Sequence, residues 1–157
     1  MGEAQLNSQL KPIIKERLVF WRWDHPLPGT RAFSEVMNSD ARINPAALLA
    51  HQNPLPTDPA EQNRLWFRWY QDFKDDPSIL NVHRQYLLFR DWSSLSLLLA
   101  PVFWFVSLFQ MSWPLSVIVA SVMLFQYLLV MVAARNQAER FVASVLACKA
   151  AQSPTEN

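Results

Sequence analysis

From residue 92 to residue 134 the chain carries no Asp, Glu, Lys, Arg or His, whereas the ninety or so residues before it mix short apolar stripes with charges and prolines. A run of that length makes about 65 Å of helix at about 1.5 Å per residue, roughly twice the ~30 Å hydrocarbon core of a bilayer. Two crossings are expected. The break between them is readable at Gln110, Met111, Ser112, Trp113 and Pro114, where polar residues cluster and proline suits the first turn of a new helix. One span is placed at 92–110 and the next at 114–134. A buried hairpin of a soluble domain is the lesser reading, because so small a domain has little with which to cover two uncharged helices on every side.

Ahead of the spans, proline acts as punctuation. Asn44-Pro45 and Asp58-Pro59-Ala60-Glu61 each place a capping side chain before a proline at the first helical position, the second with a carboxylate three residues on as in a capping box. The second start predicts a helix over 61–74, in which Leu65, Trp66, Trp69, Tyr70 and Phe73 recur at helical spacing. Asp76-Pro77 opens another, with Ile79, Leu80, His83, Leu87 and Leu88 along one side and no stop signal before Trp92. That helix is expected to run straight into the first span. Residues 10–23 place Ile13, Ile14, Leu18 and Trp21 at helical spacing, although LVFWRW also suits a short strand. The stretch 24–29 is a turn with two prolines and a glycine, after which Thr30 can cap a short helix over 31–37.

Beyond the second span the chain continues without a helix breaker to Pro154, with Ala138, Phe141, Val142, Val145 and Leu146 in one stripe. This predicts an amphipathic extension of the second membrane helix. Its apolar face needs cover, from the N-terminal domain, a neighbouring subunit or the membrane surface. The expected fold is all-α, organised as an N-terminal helical domain over 1–90, a transmembrane hairpin over 91–134 and an amphipathic helix and tail over 135–157. The N-terminal core is expected around Trp21, Trp23, Phe33, Trp66 and Trp69.

Charge sets the orientation. His83, Arg84 and Arg90 precede the first span and Arg135 and Arg140 follow the second, while the connecting turn has none. Both termini are therefore expected on the cytoplasmic side of an inner membrane. A single cysteine, Cys148, has no partner within the chain and suits that reducing side. Trp92 and Trp113 bracket the first span as interfacial anchors do. Residues 1–14 alternate polar and apolar residues instead of forming a continuous apolar core, so the first span is expected to serve as the insertion signal. The whole-chain balance of 14 Lys and Arg against 13 Asp and Glu averages two unlike parts; the portion before Trp92 is by itself close to neutral, which argues against DNA or RNA as partner.

Candidate chemistry is sparse. Asp24 beside His25, in the turn that also holds Gly29 and Arg31, suits acid–base work in principle, but no nucleophile lies near it in sequence. A structural turn is the stronger reading, and no catalytic residue is assigned. Histidines 25, 51 and 83 lack metal-ligand spacing, so neither metal nor cofactor is expected. Arg31 and Arg42 are read as bonding to carbonyls at loop ends. On the helix over 61–74, Arg64 and Arg68 are four apart next to Trp66 and Trp69, a set that can combine phosphate contact with base stacking for a small nucleotide signal. The competing reading is an aromatic core with a solvated arginine rim. Within the spans, Pro101 and Gln126 are the unusual positions, and Ser94, Ser107, Ser116 and Ser121 are small polar sites for close helix approach. A mid-membrane glutamine points either to self-association of hairpins or to a bond within its own hairpin. No charge inside the spans marks an ion path, which argues against a coupled transporter.

The phrases WDHPLPGTRAFS, DPAEQNRLWFRWY and HRQYLLFRD resemble those of a widespread bacterial family of membrane proteins with two transmembrane helices, a resemblance that implies no activity. Over residues 84–151 the order of parts resembles SLATT-type membrane effectors of bacterial antiviral conflict systems, through architecture and not through a motif. That resemblance implies a cytoplasmic trigger, hairpin assembly and loss of membrane integrity. The expectation is thus a non-enzymatic membrane protein with the lipid bilayer, copies of itself and a cytoplasmic protein or nucleotide signal as partners. The rival is a membrane anchor or accessory subunit that recruits a soluble enzyme.

Overall fold

A computed structural model describes Arg17, Phe20, Trp21 and residues 24–152. The fold is all-α, with no strand among the described residues. A 3-10 turn at Pro28–Arg31 and a π turn at Ala32–Val36 lead into helix α1, Met37–Ser39. Helices α2, Pro45–His51, and α3, Pro59–Phe73, follow, and then two long helices, α4, Pro77–Gln110, and α5, Trp113–Ala151.

Helix starts follow local chemistry. Asn44 caps α2 by accepting from Ala46 N–H, and Asp58 caps α3 by accepting from Ala60 and Glu61 N–H at 3.0 and 3.1 Å. Asp76 does the same ahead of α4, taking the Ser78 N–H at 2.8 Å as well as the Ser78 hydroxyl. These bonds hold the Asp76 carboxyl below the ordinary carboxylate range. Thr30 departs from expectation. It lies inside the 3-10 turn, buried, and donates its hydroxyl to the carbonyls of Leu27 and His25 instead of capping a helix. A buried hydroxyl takes the nearest free acceptors, and here these belong to the preceding turn.

The described residues fall into two compact units. One comprises Arg17, Phe20, Trp21 and 87–136; the other comprises 24–86 and 137–152. The core of the second is built from Phe33, Val36, Ile43, Leu48, Leu65, Trp66 and Trp69 together with Ile79 and Tyr86, all buried. The stripe of α5 completes it. Ala138, Phe141, Val142, Val145 and Leu146 are each at most 3% exposed, so the cover that the stripe requires comes from its own chain. Phe141 makes edge-to-face contacts with Trp66 and Tyr70, at centroid distances of 5.3 Å each, and lies parallel to His83 and Tyr86. On α4 the covered stripe runs through Ile79, His83 and Tyr86, while Leu88 is exposed, because the inward face follows a strict three-to-four-residue step. Gln62 ties the short turns to α3. Its side-chain carbonyl accepts from the Phe33 and Ser34 N–H groups, and its amide donates to Thr57 O.

Trp21 is not part of that core. It belongs to the other unit and is 63% exposed. Trp23, Ile13, Ile14 and Leu18 lie outside the described residues. Arg17 and Phe20 are helical, and Trp21 closes the turn by donating its N–H to Arg17 O at 2.8 Å with φ at 52°.

In the unit that holds 87–136, the uncharged parts of α4 and α5 run antiparallel and touch at Ser116, whose hydroxyl donates to Ser107 O at 2.9 Å. Ser93, Ser94, Ser107 and Ser116 are buried there, whereas Ser121 is exposed and bonds to its own helix. The break between the helices falls at Met111 and Ser112, as the sequence predicts. Both helices are long and apolar enough to cross a membrane, and only 17% of the most apolar window of each is buried. Large side chains stand outward instead, among them Phe109 at 75% and Phe125 at 63% exposure.

Candidate functional site

Helix α3 separates the four residues read together as a ligand surface. Trp66 and Trp69 are buried, Trp66 stacked on Tyr70 with planes 10° apart and Trp69 edge-on to Phe33 at 5.2 Å. Arg64 and Arg68 are exposed on the far side. Residues two apart on a helix are rotated by about 200°, so Arg64 and Trp66 do not share a face. Base stacking on these tryptophans is therefore excluded. Burial of Tyr70, with Asp75 nearby, raises its phenol above the ordinary range.

The two arginines instead border a groove of about 450 Å³ with Gln52, Pro54, Leu55, Pro56, Thr57, Glu61 and Leu65. Among the described residues, neither arginine has an ion-pair partner. The loop between α2 and α3, which contains the cis Asn53-Pro54 bond, forms the opposite wall. The groove thus offers two guanidinium forks, one carboxylate and an apolar floor, a set suited to an anion that also carries a hydrogen-bond donor.

The turn 24–31 is held by other atoms than those the sequence suggests. Asp24 and His25 are exposed, and among the described residues neither side chain has a hydrogen-bond partner. His25 contributes its backbone, with φ at 48° and its carbonyl accepting from Thr30. Gly29 packs flat on α3. A Cβ there would stand 2.6 Å from Trp66 Cε3 and 2.6 Å from Asn63 Oδ1. Arg31 pairs with Glu35 at 3.0 Å, and Arg42 grips Asp40 with its Nε and Nη2 and lowers that carboxyl below its ordinary range. Both arginines thus pair with carboxylates, Arg31 with Glu35 and Arg42 with Asp40, where carbonyls at loop ends were expected for Arg42. A guanidinium fork matches a carboxylate better than it matches a lone carbonyl. No cluster of three or more His, Cys, Asp and Glu able to hold a metal occurs among the described residues.

Between the long helices the structure parts Pro101 from Gln126. Pro101 borders a cleft with Leu97, Ala100, Trp104, Leu124 and Tyr127; Gln126 borders a different one, of about 150 Å³, with Trp92, Ser96, Leu99, Phe103 and Met123. Gln126 is exposed, and among the described residues its amide has no hydrogen-bond partner. The bond to its own hairpin, one of the two readings open from sequence, is absent. Sequence reasoning passed over Gln62 and Tyr127, whose single polar groups sit within apolar stripes and signal nothing until the packing is known. Compared with family models, with curated proteins and with solved structures, the chain shows no match.

Proposed function

We propose that the chain is a non-enzymatic integral membrane protein of the bacterial inner membrane, with α4 and α5 crossing as a hairpin, both termini cytoplasmic, and hairpins associating with one another. The observation that carries this reading is the Gln126 amide, exposed and without a hydrogen-bond partner among the described residues, beside Trp92, Leu99 and Phe103 within an uncharged span. An amide in hydrocarbon is costly until it is bonded, and the same residue on a second hairpin supplies both donor and acceptor. Arg84, Arg90, Arg135 and Arg140 flank the spans on one side and support the orientation. The test is single-molecule photobleaching of the full chain in bilayers. Wild type is expected to bleach in several steps and Gln126→Leu mainly in one; equal step counts would overturn association through Gln126.

The Arg64–Arg68 groove favours a ligand-gated version of this reading, in which a small phosphate-bearing signal binds beside α3. Its volume lies in the range of small-molecule sites, about 300–1,000 Å³. Under that reading the assembled hairpins breach the membrane as a defence effector, and expression with the signal depolarises cells. The competing reading is a membrane anchor that recruits a soluble enzyme, for which an unrelated hairpin serves equally well. Exchange of 92–134 for such a hairpin separates the two.

A further inference from the structure

We infer that Trp21 is a third contact of this chain with the lipid bilayer, seated at the interface by a hydrogen bond to Tyr127. The inference rests on the reading of α4 and α5 as membrane spans. Trp21 Nε1 donates to the Tyr127 hydroxyl at 2.9 Å across 106 positions of sequence. Tyr127 itself is 2% exposed on α5, within the uncharged run. The pairing that brings Ser116 onto Ser107 puts Tyr127 level with about Ser96, one helical turn past Trp92, or about 6 Å toward the middle of the apolar layer. The indole of Trp21 is held at that depth.

Burial along the segment fits a lipid-facing position. Phe20 turns inward at 7% exposure, while its neighbour Trp21 is 63% exposed. With the N–H of Trp21 already bonded, what remains outward is its apolar ring surface, beside an uncharged helix. An indole with one polar atom satisfied and broad apolar flanks is suited to the boundary between headgroups and acyl chains. The partner is therefore the carbonyl and upper acyl region of the lipid, met at the level of the first turn of the span.

The test uses the full chain labelled with 5-fluorotryptophan in lipid nanodiscs, with Trp21→Phe and Trp104→Phe assigning two fluorine resonances. Trp21 is expected to broaden with a nitroxide lipid labelled near the top of the acyl chain and to resist a soluble gadolinium chelate. Broadening of Trp21 by the chelate, with Trp104 protected, would overturn the interface contact and leave the spans standing. Broadening of Trp104 by the chelate would overturn the spans and the contact together. Tyr127→Phe is expected to shift the Trp21 resonance; an unmoved Trp21 resonance would show that Tyr127 is not its seat.

Discussion

Phe141 lies face to face with His83, ring centroids 4.8 Å apart and planes 6° from parallel, with the Tyr70 hydroxyl 3.1 Å from His83 Nδ1. The residue that fills the aromatic core of the unit formed by 24–86 and 137–152 thus arrives from the far end of the chain. Phe141→Ala is expected to destabilise that unit by about 3–5 kcal/mol, the usual range for a buried phenylalanine. Limited proteolysis of the full chain reads the effect as early cleavage within 24–86, while the uncharged helices stay protected.

A chain ending at Phe89 is expected not to fold, since it lacks Phe141, Val142, Val145 and Leu146. Joining 137–152 to it through a flexible linker is expected to restore a cooperative melt in circular dichroism. A sharp melt of the short chain on its own would contradict the core as described.

Gln62 is 1% exposed and holds two backbone N–H groups and one carbonyl. Gln62→Leu keeps the volume but strands those groups, each at about 1–3 kcal/mol. A loss of several kcal/mol in denaturant unfolding is expected, beyond what the exposed neighbour Arg64→Leu produces.

Gly29→Ala is expected to destabilise by about 1–3 kcal/mol, as overpacking against a well-packed ring does. The new methyl meets the buried Trp66 ring, which has no room to yield; Asn63, half-buried, can turn away. Trp66→Leu should remove most of the penalty, so the double variant compared with each single variant checks the contact.

Cys148 is half-buried, and burial first, then the nearby Asp76, raises its thiol above the ordinary range, with Arg42 acting in the opposite sense. Because the folded pKa is raised, the stability it contributes is present below the unfolded thiol pKa and is lost as pH rises through the folded one. Alkylation by iodoacetamide near pH 9 is therefore expected to be slower in the native chain than in denaturant. Equal rates would contradict the burial.

Local features were legible from the order of residues alone. Asn44, Asp58 and Asp76 mark helix starts because a cap bonds to N–H groups two or three residues away. The uncharged run and its break at Met111 and Ser112 follow from length and composition, and so does the outward apolar surface of α4 and α5. Even the parting of Arg64 from Trp66 was readable, since residues two apart point away from each other on any helix. What lies across from each face came from the packing of the chain. Periodicity reveals that the stripe from Ala138 to Leu146 must be covered, yet it carries no information on whether Trp66 and His83, another copy or the bilayer provides the cover. The same holds for Trp21, which spacing alone assigned to an aromatic core and the fold bonds to Tyr127. Contacts between residues a hundred positions apart depend on how the chain returns on itself, and no short-range pattern encodes that return.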